Sequence, residues 1–343
     1  MHKFKYDWKM SENYPKKNGC KVFSTFACGG GSTMGYKLAG FDVIGCNDID
    51  KKMTDLYVKN HKPKHVFTCT ISELKNKKLP EEFFNLDILD GSPPCSTFSI
   101  SGNREKDWKK DRVFREGQAK QKLSDLFFEF IDLAEYLKPK VIIAENVKGM
   151  IMGNAKAYTS AVLKQLDAIG YDVQLFCLNA STMGVPQRRE RVFFIAVRKD
   201  LKMEKLILNF NEKAIKLGEF IKPNNGKALS RAGKLYADWQ KRKRGDKNFG
   251  DICLRTENKQ KSFGRVLISS EQCAPTIVSG NLYIYFEEFK AVSNKDHCKI
   301  STFPSDYDFN GNNTVYVCGM SVPPVMMAQV ASQVYEQWLS KLK

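Results

Sequence analysis

KVFSTFACGGGSTMGYKLAGFDVIGCNDID, residues 21–50, reads as a strand, a glycine-rich turn, a helix and a second strand. Lys21–Phe26 is a short β-branched and aromatic run, the composition of a strand. The turn FACGGGSTMG, 26–35, follows it and opens a helix, and its glycines allow a ligand to approach the backbone closely. The second strand, Phe41–Cys46, runs into NDID and sets Asp48 about twenty residues beyond the turn, where a carboxylate can accept both hydroxyls of a ribose. This is a nucleoside-binding arrangement. A dehydrogenase fingerprint would carry a third glycine after Gly29 and Gly31; Met34 stands there instead, which counts against a nicotinamide dinucleotide. A tight strand-to-helix connection without a ligand is the plainer alternative.

Outward from this unit the same rhythm repeats. Leu86–Leu89, Val141–Ala144, Tyr171–Leu178 and Arg191–Val197 are further strand candidates. Between the first two, Leu123, Leu126, Phe127, Phe130, Ala134 and Leu137 recur at helical spacing until Pro139 stops the helix. Alternation of this kind predicts an α/β fold with a doubly wound, mostly parallel sheet. After residue 199 the rhythm is lost, and short elements broken by Pro223, Gly226, Gly233, Gly245 and Gly250 predict a second, smaller, irregular domain over 200–280. Residues 281–310 are expected to be a hinge. Pro323 and Pro324 open a last helix whose Met327, Ala331, Val334 and Trp338 form an apolar stripe, so that 311–343 is expected to complete the domain begun by 1–199.

The chain of 343 residues, 42% apolar, is long enough to fill an ordinary core without staples. No apolar stretch approaches the ~20 residues of a membrane helix, and the polar start has no signal-peptide core, so a cytoplasmic protein is expected. The ten cysteines are irregularly spaced with no C-x-x-C pair, against both a disulfide framework and a zinc site; no metal is expected. The formal charge of +17 favours a polyanionic partner. Lys199–Arg265 carries 18 Lys or Arg against 8 Asp or Glu, so the charge is concentrated in the second domain, although a short run such as KRKRG at 241–245 taken alone is equally a solvated face.

Three further stretches carry chemistry. DGSPPCSTFSISG, 90–102, sets Cys95 just past the carboxyl edge of the sheet, where open α/β folds bind ligands, and AENVKG, 144–149, sets Glu145 at the same edge. Cytosine carbon 5 is too weak a nucleophile to take a methyl group unaided. Thiolate addition at carbon 6, with an acid protonating ring nitrogen 3, makes it one, and a thiol beside a carboxyl suits that task. Each group alone also has a plain reading: Cys95 as a packed thiol, Glu145–Asn146 as a helix cap. In PQRRERVFF, 186–194, three guanidinium groups lead into a strand and can hold a carbonyl oxygen or a phosphate; a basic edge strand is the plain alternative.

These stretches, with APTIVSG at 274–280 and YVCGMSVPP at 316–324, occur in the order of the cytosine-5 DNA methyltransferases, which the chain resembles over nearly its whole length, in the bacterial or phage modification type. The resemblance implies a Rossmann-like fold of the S-adenosylmethionine-dependent methyltransferase kind. It implies Cys95 as nucleophile, Glu145 as proton donor to nitrogen 3, Asn146 as an orienting neighbour, and Arg189 and Arg191 as ligands of the flipped cytosine and its phosphate. Phe26, Gly29, Gly31, Asp48, Ile49, Pro94 and Ser321 would line the pocket for S-adenosyl-L-methionine. The basic region 200–280 resembles a target-recognition domain. Double-stranded DNA is the implied partner, a monomer the implied state, and a cognate restriction endonuclease the companion to look for. Ser99, Ser101 and Arg104 are expected DNA contacts within 96–122, a basic segment expected to close over the extruded base. The sequence departs from the family at Cys28, where the turn usually has its first glycine, at Thr70, where an aspartate usually holds the adenine amino group, at Ser96, where glutamine often follows the cysteine, and at Met320, usually asparagine. The nearest rival, a transfer-RNA cytosine-5 methyltransferase of the same fold, carries a Cys-Phe-Thr tripeptide in its recognition region that this sequence lacks. A catalytically silent DNA-binding regulator would have lost the proline-cysteine or the glutamate, and both are present.

Overall fold

The computed structural model describes residues 2–94, 111–112, 121–122, 126–153 and 155–342. Two compact units divide the chain: one comprises Asn13–Asn179, Glu190–Asn209 and Met327–Lys343, the other Met1–Glu12, Ala180–Arg189 and Phe210–Met326.

The first unit is built on a seven-stranded sheet: β1 (Lys21–Thr25), β2 (Asp42–Asp48), β3 (His65–Thr68), β4 (Ile88–Gly91), β5 (Val141–Val147), β6 (Tyr171–Asn179) and β7 (Glu190–Arg198). The strand order is β3-β2-β1-β4-β5-β7-β6. Only β7 opposes its neighbours, pairing antiparallel with β5 and β6. The expected doubly wound, mostly parallel sheet is therefore present. Its central strands are buried on both faces, as crossover helices require: Ile88–Gly91 is buried throughout, and in β5 only Val147 escapes full burial.

Helices α1 (Gly31–Leu38), α2 (Lys51–His61), α3 (Ile71–Lys75), α4 (Leu126–Leu137) and α5 (Ala155–Ala168) connect the strands. On α4, Phe127, Phe130, Ile131, Ala134 and Leu137 bury one face at helical spacing against Phe23, Leu89 and Ile142 of the sheet. The helix ends where Pro139 denies its predecessor the helical region, and Lys138 takes φ 50°. Asp50 caps α2 by accepting from Lys52 N, 2.9 Å. Burial of a core side chain is worth about 1.5–3 kcal/mol, so this sheet-and-helix core dominates the stability of the unit.

In the second unit β8 (Lys227–Ala228), β9 (Arg265–Ile268), β10 (Leu282–Tyr285) and β11 (Lys290–Ala291) form a small sheet in the order β8-β11-β10-β9. Helices α6 (Lys234–Gln240) and α7 (Phe249–Glu257) carry Trp239, Phe249 and Ile252 into a core shared with Leu267, Ile284 and Phe289. Helices α8 (Asn294–Ile300) and α9 (Thr314–Met320) follow.

The boundaries differ from those read in the sequence. Residues 281–310, expected to be a hinge, hold β10, β11 and α8: Tyr283, Ile284 and Tyr285 are 2% exposed or less, and Ile284 belongs to this core. Residues 180–189 and 311–326 also fall in the second unit, while 200–209 stay with the first. The last helix, α10 (Pro324–Gln337), buries its stripe as expected: Met327, Ala331, Val334 and Trp338 are 1% exposed or less. Against the expectation of no long apolar stretch, Thr314–Gln337 has a mean hydropathy of 1.3 in its best window, but that window is 78% buried and α9 and α10 are separated at Ser321–Pro323. No disulfide joins the nine described cysteines.

Candidate active site

The glycine-rich turn closes the carboxyl end of β1. Phe26 and Cys28 hold φ of 51° and 46°, and Gly30, with φ 81°, lies against α2 so closely that a β-carbon there would sit 2.1 Å from His61 Nε2. Gly30 is thus the residue that must be glycine, a requirement the G-x-G spacing did not mark. The ring of His61 lies 3.2 Å from the Gly29 carbonyl oxygen, and burial pushes its pKa down to about 3, so it packs as a neutral ring.

Asp48 ends β2 beside this turn. Its carboxylate accepts from Cys28 N at 2.8 Å and from Asp50 N at 2.9 Å, one bond on each oxygen. Ile49 N donates to it as well, which leaves acceptor capacity for a hydroxyl donor. Burial raises its pKa to about 6, and the backbone donors oppose that shift. Ile49 and Phe26 are half-buried beside it. Thr70, where the resemblance calls for an aspartate, is the N-cap of α3: its hydroxyl accepts from Glu73 N while Glu73 reaches back to Thr70 N, 3.0 Å.

The strands β4 and β5 are paired in parallel from Ile88↔Val141 to Gly91↔Ala144, which brings their two ends to one edge. From β4 the chain passes through Ser92, Pro93 and Pro94 toward Cys95. Asn146 Nδ2 donates to the Pro93 carbonyl at 2.9 Å, and Asn146 Oδ1 accepts from Val147 N at 2.9 Å, so the amide ties the end of β5 to the backbone two residues before Cys95. Glu145 is 8% exposed. Arg191 Nε lies 2.9 Å from Glu145 Oε1, with the two side chains 14% and 10% exposed. Burial lowers the Arg191 pKa, opposed by Glu145, and leaves it a cation. Pairing of Val147 with Arg191 across β5 and β7 explains the contact: Arg191 rises on the same face as Glu145, one pleat further on. The glutamate carboxyl is thus held by Arg191 and does not cap a helix.

Arg189 belongs to the second unit. It is 2% exposed, and its guanidinium donates to the carbonyls of Ile277 (3.1 Å), Gly319 (2.9 Å) and Ser321 (3.0 Å). These bonds hold the segments around Ile277 and Ser321, and contact of Arg189 with base or phosphate stays a proposal. Gln187, which the sequence did not single out, assists by accepting from Ile277 N at 3.1 Å. Arg188 is the exposed member of the triplet. The Ser321 hydroxyl donates to Val317 O at 2.8 Å within its own helix, and Met320, at the end of α9, is 44% exposed. Cys95, Ser96, Ser99, Ser101 and Arg104 lie outside the described residues, as does most of 96–122.

A family description, C-5 cytosine-specific DNA methylase, matches residues 20–336. The chain is 34% identical over 187 residues to the Type II methyltransferase M.NgoPII of Neisseria gonorrhoeae, which covers 54% of this chain and 50% of that protein. It is 27% identical over 326 residues to the Type II methyltransferase M1.HphI of Haemophilus parahaemolyticus, covering 90% and 85%. The match to M.NgoPII thus spans about half of that relative's length. Among solved structures, a protein described as a DNA modification methyltransferase encoded within a prophage (E. coli) superposes with a TM-score of 0.67 at 18% identity, over 93% of this chain and 99% of that one. DNMT2 of Spodoptera frugiperda gives 0.62 at 16% identity, over 92% and 100%; both likenesses concern the fold alone. Because the family match extends through both compact units and every ordered motif, the chain is a member of the C-5 cytosine-specific DNA methylases.

Proposed function

We propose that this protein methylates carbon 5 of a cytosine extruded from a specific double-stranded DNA sequence, through a transient covalent adduct of Cys95. The observation that carries the reading is the Glu145–Arg191 ion pair at the end of β5, beside the strand that leads into Pro93–Pro94–Cys95. In this reading Cys95 adds as the thiolate to carbon 6, forming the S–C6 bond, while Glu145 gives a proton to nitrogen 3, and the electron pair displaced from the C5–C6 bond makes carbon 5 nucleophilic. After carbon 5 is alkylated, loss of its proton expels the thiolate and restores the ring, and nitrogen 3 returns its proton. Arg191 orients the Glu145 carboxyl, and Asn146 holds the Pro93 carbonyl, two residues before Cys95 in the chain.

S-adenosyl-L-methionine supplies the electrophilic methyl group when bound. The residues present suit it: Asp48, at the end of β2 beside the glycine-rich turn, retains acceptor capacity for a ribose hydroxyl. Phe26, Gly29, Gly31, Ile49, Pro94 and Ser321 are the further cofactor residues proposed, and Ser99, Ser101 and Arg104 the proposed DNA contacts. The basic stretch 200–280, most of it in the second unit, is the proposed target-recognition region.

Bisulfite sequencing of DNA from a host expressing the protein tests product and target together, with Cys95→Ser as the control. Protected cytosines in one recurring sequence, absent with the variant, are expected. Unprotected DNA together with methylated transfer RNA would replace this reading by the RNA-directed one. A duplex containing 5-fluorocytosine at the target should trap the wild type covalently, since fluorine blocks the final elimination; methylation without such an adduct would refute the Cys95 mechanism.

A further inference from the structure

One buried carboxyl in the first unit has no part in the chemistry described so far. Asp90, on β4, is 1% exposed. Ser24 Oγ donates to Asp90 Oδ2 at 2.7 Å and Tyr36 Oη to Oδ1 at 3.0 Å, while Thr25 Oγ1 donates to the Asp90 carbonyl at 2.9 Å. Ser24 and Thr25 are the last residues of β1 before the glycine-rich turn, and Tyr36 lies on α1, the helix that the turn opens. Asp90 also pairs with Ile143 on β5, so that its side chain leaves the sheet on the same face as Glu145. It therefore sits beneath the junction of turn, nucleophile strand and proton donor. Among the described residues no Lys, Arg or His forms an ion pair with it.

A buried carboxylate is costly unless hydrogen bonds or a positive charge compensate it. Two hydroxyl donors compensate in part. Burial still raises the Asp90 pKa to about 7, against the lowering by Ser24 and Tyr36 and with a further rise from Glu145. The titratable groups facing it are Tyr36 of α1, Tyr57 of α2 and Glu145 of β5, none of them a cation. Such a site gains most from a ligand that brings a positive charge.

We infer that Asp90 is an electrostatic selector for the charged methyl donor, holding a negative charge under the cofactor turn that favours the sulfonium form over the spent thioether. The inference rests on the proposed use of S-adenosylmethionine. The donor carries a sulfonium, an ammonium and a carboxylate, net +1, whereas S-adenosylhomocysteine is net neutral. Loss of that charge on methyl transfer removes the attraction to Asp90 and favours release of the product. Asp90 acts through its field and need not touch the ligand.

The test is calorimetric titration of the full chain with S-adenosylmethionine and, separately, S-adenosylhomocysteine, for wild type and Asp90→Asn at pH 6 and pH 8.5. The amide keeps the shape, one acceptor and a donor that Ser24 Oγ can accept from, so the fold should survive. At pH 8.5 the variant should weaken S-adenosylmethionine by about fivefold or more, and S-adenosylhomocysteine by less than about twofold. In the wild type the ratio of the two affinities should fall from pH 8.5 to pH 6 as Asp90 takes up a proton, and this fall should be smaller in the variant. Equal weakening of both ligands would make Asp90 structural only and overturn the inference. If the wild type binds neither ligand, the cofactor assignment itself fails and this inference with it. If Asp90→Asn does not fold, Tyr36→Phe removes one donor to the carboxylate and should move the midpoint of the ratio to higher pH; an unmoved midpoint would equally overturn the inference.

Discussion

Replacing Glu145 by glutamine separates the ion pair seen in the structure from the proton-donor role proposed for the same carboxyl. Its charge offsets the desolvation of Arg191 at 2.9 Å, in a pair whose side chains are 10% and 14% exposed. Deleting one partner of a buried ion pair costs about 3–5 kcal/mol. Glutamine keeps a carbonyl acceptor for Arg191 Nε, so the loss should be smaller, about 1–3 kcal/mol, and visible as a lower denaturation midpoint. The chemical effect should be much larger. An amide cannot deliver a full proton to nitrogen 3, and removal of a general acid lowers turnover by about two to four orders of magnitude. Single-turnover methyl transfer with labelled cofactor, run well below the melting temperature of the variant, isolates the second effect, and circular dichroism follows the first. If the folded variant turns over within about threefold of the wild type, the proton-donor role is wrong and Glu145 serves only to neutralise Arg191.

Three further substitutions test the cofactor side. Thr70→Asp should keep the cap on α3, since aspartate caps as well as threonine, and on the family resemblance should supply an adenine contact; a gain of about tenfold in affinity for S-adenosylmethionine is expected, and unchanged affinity in equilibrium binding would show that Thr70 does not face the adenine. Cys28, at φ 46°, bears a left-handed strain of about 1–2 kcal/mol that glycine would relieve at some cost in unfolded-chain entropy. Cys28→Gly should therefore raise the urea midpoint slightly, and a clear fall would show that the 3.6 Å contact of Cys28 Sγ with Met53 Sδ outweighs the strain. Asp48 has a native pKa of about 6, above the unfolded value of about 3.9. The native state thus holds this proton more tightly, and its contribution to stability is lost as pH rises from about 4 through about 6. Asp48→Asn should remove that slope, so the gap between the wild-type and variant unfolding free energies should change over pH 4–6 and stay constant above about 7; parallel curves would contradict the raised pKa.

What could be read from the sequence was local. The unit from Lys21 to Asp50 was legible because strand, turn and helix are each specified by neighbouring residues, and because a parallel sheet buried on both faces shows as continuous apolar runs. His65–Thr68 gives no such run: it is four residues long, at the sheet margin, with alternate residues exposed. In the second unit the strands are two to four residues long, too short for any period to register, so a packed sheet reads in the sequence as irregular chain and a hinge. Glu145 is marked by its place at the end of a strand and Asn146 by the family resemblance, but the carbonyl that Asn146 holds, 53 positions earlier, carries no side-chain signature.

The two arginines of QRRER show where such reading stops. Counted as strand residues, Arg189 and Arg191 would point to one face and share one task, and a charge motif invites that count. The strand begins at Glu190, however, so only Arg191 is held by the pleat, and its pairing opposite Val147 delivers it to Glu145. Arg189 lies one residue before the strand, and its direction is decided by three carbonyls that arrive from 88 to 132 positions away. Backbone carbonyls are present at every residue, and nothing in a side-chain pattern marks which of them fold will leave without a partner. A guanidinium committed to them can be substituted for its geometry but not for its charge alone: Arg189→Lys keeps the charge and supplies a single ammonium where a planar fork now serves three acceptors. That variant should weaken the second unit by about 2–4 kcal/mol, as loss of a buried hydrogen-bonded network does, whereas a wild-type denaturation midpoint would return Arg189 to the role of ligand that the motif suggests.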